Sequence, residues 1–82
     1  NLNVQNVEVK NNSLTGNVQD EQSMNVSNIE LALKKDGETI KKTYTDEDGN
    51  YVFSDIEEGE YNLEIDEDIY EKVSEEFILT TF

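Results

Sequence analysis

The sequence predicts an all-β sandwich of about seven strands, and three observations point there. Its apolar residues are mostly β-branched or aromatic, and they alternate with polar neighbours in short runs. Clusters of Asn, Asp and Gly interrupt those runs about every eight to twelve residues, the spacing of a small antiparallel fold. No stretch carries a helical period. The chain has 82 residues, enough for one core, so 1–82 reads as a single domain.

Taken in order, Leu2 and Val4 share one parity while Val7 and Val9 share the other. The change of phase at Gln5-Asn6 predicts a bulge or two short strand pieces. Asn11-Asn12-Ser13 is a turn cluster. Leu14, Gly16 and Val18 then alternate with Thr15 and Asn17, and Gly16 marks a tight backbone approach or a bend. Residues 19–25 are polar and read as a loop. Ile29, Leu31 and Leu33 point one way, with Glu30, Ala32 and Lys34 opposite. Lys35-Asp36-Gly37-Glu38 reads as a hairpin turn into a returning strand that carries Ile40 and Tyr44. Asp46-Glu47-Asp48-Gly49-Asn50 reads as a second hairpin turn, before the inward pair Tyr51 and Phe53. Gly59 turns the chain again into Tyr61, Leu63 and Ile65. Tyr70 and Val73 lead to a last strand on which Phe77, Leu79 and Thr81 share a face. Tyr51, Phe53, Tyr61 and Leu63, with Ile29, Leu31 and Leu33, are the expected core.

Composition narrows the function. Six Lys against 20 Asp and Glu give a net charge of −14, which argues against nucleic acid or an anionic membrane surface as partner. Without Cys there is no disulfide and no thiolate chemistry, and without His the commonest general base and zinc ligand are missing. No apolar run is long enough to span a bilayer, and no signal peptide opens the chain. The charge is uneven: residues 1–45 hold six acids and five lysines, whereas 46–76 hold fourteen acids and Lys72 alone. An acidic face of this kind keeps a sheet protein soluble, or it receives a cation or a basic partner.

Asp46, Asp48 and Asn50 have the D-x-D-x-N spacing of a calcium loop, in which alternate oxygens wrap a hard cation. Gly49 falls between the second and third of them, and the acid twelfth from Asp46, Glu57, lies beyond a strand. A plain turn accounts for the same segment. Asp66, Glu67 and Asp68, with Asp20 and Glu21 nearby if the loops cluster, form a second acidic group of the same ambiguity. Paired carboxylates could do acid–base work, but nothing marks a pocket to raise one pKa, so no enzyme is expected. Asn11-Asn12-Ser13 and Asn25-Val26-Ser27 match a glycosylation sequon, a short pattern that recurs by chance.

The run Thr45-Asp46-Glu47-Asp48-Gly49-Asn50-Tyr51-Val52-Phe53, then Asp55-Ile56, Glu58-Gly59-Glu60-Tyr61 and Leu63, resembles T-D-x-x-G-x-Y-x-F-x-x-L-x-x-G-x-Y-x-L. That is the signature of Cna B-type and carboxypeptidase-regulatory-like domains. Leu14-Thr15-Gly16-Asn17-Val18 resembles their I-x-G-x-V opening, and Val26-Ser27-Asn28-Ile29-Glu30-Leu31 their second strand. The likeness covers about residues 14–70. It implies a prealbumin-like, transthyretin-like (Ig-like, Greek-key) sandwich that repeats as a stalk or spacer in adhesins of the bacterial cell surface and cell wall. Partners would be neighbouring repeats of the same surface protein, and such a spacer presents a distal binding domain. A module that binds carbohydrate or a host protein, or a calcium-stiffened spacer, are the competing readings.

In the family, many members carry an internal Lys–Asn or Lys–Asp isopeptide bond. The resemblance places its lysine in the first strand and its catalytic acid at the end of the Tyr61 strand. Here Leu14 to Val18 contain no Lys and Ile65 stands at the acid's position, so no crosslink is expected; Lys10 is the nearest candidate. The related calcium-binding repeats place acids in their first long loop, which here is 19–28 and holds only Asp20 and Glu21. The first twelve residues, 1–12, read as a strand of this domain or as the end strand of a preceding repeat. That strand would pair within its own chain or complete a neighbouring chain, as a monomer or a strand-exchanged oligomer.

Overall fold

A computed structural model describes residues 2–66 and 77–82. Seven strands follow one another: β1 (Leu2–Val9), β2 (Ser13–Gln19), β3 (Glu30–Lys35), β4 (Glu38–Tyr44), β5 (Asn50–Ser54), β6 (Gly59–Asp66) and β7 (Ile78–Thr81). They form two antiparallel sheets, one ordered β1-β6-β3-β4 and the other β5-β2-β7. The all-β sandwich expected from the alternation is the fold, and no helix occurs among the described residues.

Alternation buries one side of each sheet. Tyr51 and Phe53 of β5 meet Leu14 and Val18 of β2 and Leu79 of β7 in one core, closed from the other sheet by Leu31, Leu33, Tyr61, Leu63, Ile65, Val7 and Val9. Every residue of the expected core is in it, and Ile29 and Ile56 complete it from strand flanks. Tyr51 and Phe53 touch edge-on, with ring centroids 6.0 Å apart. Thr45 is the one buried polar residue among those described, and its hydroxyl accepts the Ile29 amide at 2.9 Å.

The turns depart from expectation where they change sheets. Asn11 and Asn12 both have positive φ (57° and 59°), and the tight turn they make carries the chain from β1 in one sheet to β2 in the other. Lys35 to Glu38 does form the expected hairpin, with Asp36 and Gly37 at φ 52° and 81°. The turn at 46–50 is not a hairpin. It joins β4 to β5, which lie in different sheets. Tyr61 and Leu63 of β6 meet Tyr51 and Phe53 of β5 in the one core, from the opposite sheet.

The bulge also lies elsewhere. β1 pairs with β6 in unbroken register from Leu2 opposite Asp66 to Val9 opposite Gly59. Its inward positions are Asn3, Gln5, Val7 and Val9, so the phase change reflects polar residues on the inner side and exposed Leu2 and Val4 on the outer. The irregularity falls in β4, where Ile40 is the extra residue opposite Leu33 and Lys34. Within this single chain β1 is an edge strand whose one neighbour is β6.

The register also orients the chain. Leu2 lies opposite Asp66, Gln19 opposite Ile78, and the Asn3 side-chain amide donates to the Phe77 carbonyl at 2.8 Å. β1 and β7 therefore begin at the same end of the sandwich. β7 then runs down β2 until the Phe82 amide donates to the Thr15 carbonyl, toward the opposite end. The long dimension of the molecule is 34 Å.

Candidate functional site

The end where β1 begins gathers the loops 20–28 and 46–50. Gly49, at φ 78°, seats the second loop against the first: an added Cβ would lie 2.7 Å from the Val18 carbonyl and 3.1 Å from the Val26 nitrogen. Its own carbonyl accepts the Val18 amide at 2.8 Å. Only glycine combines that φ with that approach.

Within this end the calcium candidates are engaged by the chain itself. One oxygen of Asp46, Oδ1, accepts the amides of Asp48 and Asn50, each at 2.9 Å. Asn17 donates through Nδ2 to the Asp48 carbonyl and to Asn50 Oδ1, both at 3.0 Å. The D-x-D-x-N spacing thus places its first carboxylate over backbone amides, the task of a side chain that caps a turn. Asp46, Asp48 and Asn50 lie in one turn, but among the described residues no group of three or more acidic side chains converges as metal ligands would. Of the second acidic group, Asp66 ends β6, while Glu67 and Asp68 fall outside the described residues.

Asp20 performs the same task as Asp46, which the sequence reading missed. Its Oδ1 accepts the amides of Gln22 at 2.9 Å and Met24 at 3.0 Å. Asp20 and Asp46 each precede, by two and by four positions, the amides they hold, and an Asp opening a polar segment was the available signal.

The outer face of the larger sheet carries cross-strand ion pairs. Lys34 of β3 meets Glu64 of β6 at 3.2 Å, and Lys42 of β4 meets Glu30 of β3 at 3.3 Å. The Tyr44 hydroxyl donates to Glu30 at 2.7 Å, and this bond, with Lys42 beside it, holds the Glu30 carboxyl below its ordinary pKa. Glu30, Ala32, Lys34, Lys42, Glu64 and Leu2 line a shallow, open depression, with no buried carboxylate to act as an acid or base.

The remaining candidates separate in space. Tyr44 and Phe82 are both exposed, but they stand on different sheets and make no paired platform for a sugar ring; Tyr70 lies outside the described residues. Lys10 is exposed and pairs with Glu8 at 3.2 Å, and no acidic side chain is buried among the described residues.

Comparison with known proteins fits this geometry. Residues 6–76 match the family model of the SdrD B-like domain. Two Staphylococcus epidermidis sequences of serine-aspartate repeat-containing protein F are similar over 50 residues, one 40% and the other 38% identical. The matched stretch is 60% of this chain and 3% of each relative, so the chain corresponds to a small part of a far longer protein. No solved structure matches significantly. With its two-sheet core and a family model that matches residues 6–76, this chain belongs to the SdrD B-like domains, a Cna B-like family of staphylococcal surface-protein domains.

Proposed function

We propose that this domain is a spacer repeat of an extracellular surface protein, without catalysis, holding a distal binding domain away from the bacterial cell wall. The observation that carries the reading is the path of the chain: β1 starts at one end of a sandwich 34 Å long, and β7 finishes toward the other. Repeats joined in that way add length with each copy, as quasi-one-dimensional arrays do. The strong negative charge keeps such an extended array soluble. Small-angle scattering on two copies fused end to end tests this. An elongated two-domain particle supports the spacer, and a compact pair refutes it.

A further inference from the structure

The chain contains two Asp-Gly dipeptides, Asp36-Gly37 and Asp48-Gly49, each in a turn. Such a pair has a latent reaction: the glycine nitrogen can attack the side-chain carboxyl carbon of the residue before it. Glycine permits this best, because no side chain shields its amide and its backbone turns freely. The attack is intramolecular, so it is decided by whether the nitrogen is free to approach that carbon. The fold treats the two pairs in opposite ways.

At Asp48-Gly49 the reacting parts are tied down. Gly49 is buried, and its amide donates to the Asp46 carbonyl at 3.0 Å. The Asp48 amide is held by Asp46 Oδ1 at 2.9 Å, and the Gly49 carbonyl accepts the Val18 amide at 2.8 Å. At Asp36-Gly37 nothing is held. Both residues are exposed, and a Cβ at Gly37 would meet no atom within 4 Å. Among the described residues, neither the Asp36 carboxylate nor the Gly37 amide has a hydrogen-bond or ion-pair partner.

We propose that Asp36-Gly37 is a site of spontaneous backbone isomerisation, from which the turn at Asp48-Gly49 protects its own pair. The Gly37 nitrogen bonds to Cγ of the protonated Asp36 carboxyl. The nitrogen's proton and the carboxyl hydroxyl leave as water, closing a succinimide ring. Water then adds to one of the two ring carbonyls. Addition at Cγ breaks the new bond and restores aspartate. Addition at the Asp36 main-chain carbonyl breaks the original peptide bond, and the chain then runs through the side chain as isoaspartate. One water leaves and one returns, so the product is an isomer of the parent.

The product bears on the fold through the hairpin. Isoaspartate adds a methylene to the main-chain path of a turn whose length fixes the register of the strands it joins. β4 depends on that turn, since β3 is its one neighbour in the sheet. An isomerised hairpin therefore holds β4 less firmly. This inference is independent of the spacer reading, because it concerns the backbone of a single domain.

Incubation of the folded chain at mildly acidic pH, well below its melting temperature, tests the proposal. Digestion and electron-transfer fragmentation then locate isoaspartate, and a parallel incubation in urea removes the fold. In urea the two pairs should isomerise at similar rates. In the folded chain, isoaspartate should form at Asp36 at least about tenfold faster than at Asp48, whose turn must first open. A species lighter by one water should precede it. Asp36→Glu, whose imide ring would be larger, should abolish the product at that position. In the isomerised fraction, hydrogen exchange at β4 amides such as Thr43 should be faster than in the parent. Equal rates at Asp36 and Asp48 in the folded chain overturn the proposal, as does isoaspartate that forms at Asp36 only in urea. The urea comparison uses the parent chain alone, so it stands even if Asp36→Glu misfolds. Unchanged exchange across β4 in the isomerised fraction overturns the effect on the hairpin.

Discussion

Gly16 and Tyr51 stand opposite each other in β2 and β5, and the side chain that glycine lacks is the space the tyrosine ring occupies. A Cβ at Gly16 would fall well inside contact distance of the Tyr51 hydroxyl and of the Thr80 carbonyl. Across that gap the Tyr51 hydroxyl donates to the Thr80 carbonyl at 3.2 Å, so one ring on β5 passes over β2 to fasten β7. Gly16→Ala must push strands apart, and a loss of about 3 kcal/mol in urea-induced unfolding is expected. Gly37, at φ 81° with open space around it, is the comparison: Gly37→Ala should cost about 1 kcal/mol, from backbone strain alone.

Tyr51 also gives the fold a sensitivity to base. Burial pushes its phenol up to about 12 from an ordinary value of 10. Between those values the unfolded chain has released the proton and the folded chain still holds it. Stability therefore falls as pH rises through that window. Tyr51→Phe should be less stable at neutral pH by about 1 kcal/mol, the worth of the lost hydrogen bond. It should also lose less stability than the parent between pH 10 and pH 12, which melts at a series of pH values would read.

Phe53 is 1% exposed at the centre of the core. Phe53→Ala should cost about 3–5 kcal/mol, most of what so small a domain has. Thermal melting by circular dichroism reads this directly. A cooperative transition within a few degrees of the parent would remove Phe53 from that role.

The core was legible before any coordinates, because strand alternation reports burial residue by residue: Tyr51, Phe53, Leu31 and Leu33 needed only their parity. Which sheet each strand joins was not legible. Asp48-Gly49 reads locally as a hairpin, yet β4 and β5 part into different sheets, since turn chemistry specifies a reversal and not the partner. Of the candidate site, the clustering of Asp46, Asp48 and Asn50 was legible, but not that a single Asp46 oxygen would hold two amides. That depends on backbone geometry the spacing alone does not carry.

Asp46 distinguishes a turn cap from a calcium ligand. As a cap it needs one acceptor oxygen, so Asp46→Asn should stay within about 0.5 kcal/mol of the parent, while Asp46→Ala should lose about 1 kcal/mol. Melts with calcium and with chelator complete the test. An increase in Tm with calcium that Asp46→Asn abolishes would make the turn a cation site.

The spacer reading stands or falls on the length added by each copy. Two copies fused directly, Phe82 to Asn1, and measured by small-angle scattering at low concentration, give that length. The expected maximum dimension is roughly 70 Å, about twice the 34 Å of one domain. A maximum dimension near 45 Å, that of two domains folded side by side, would contradict it.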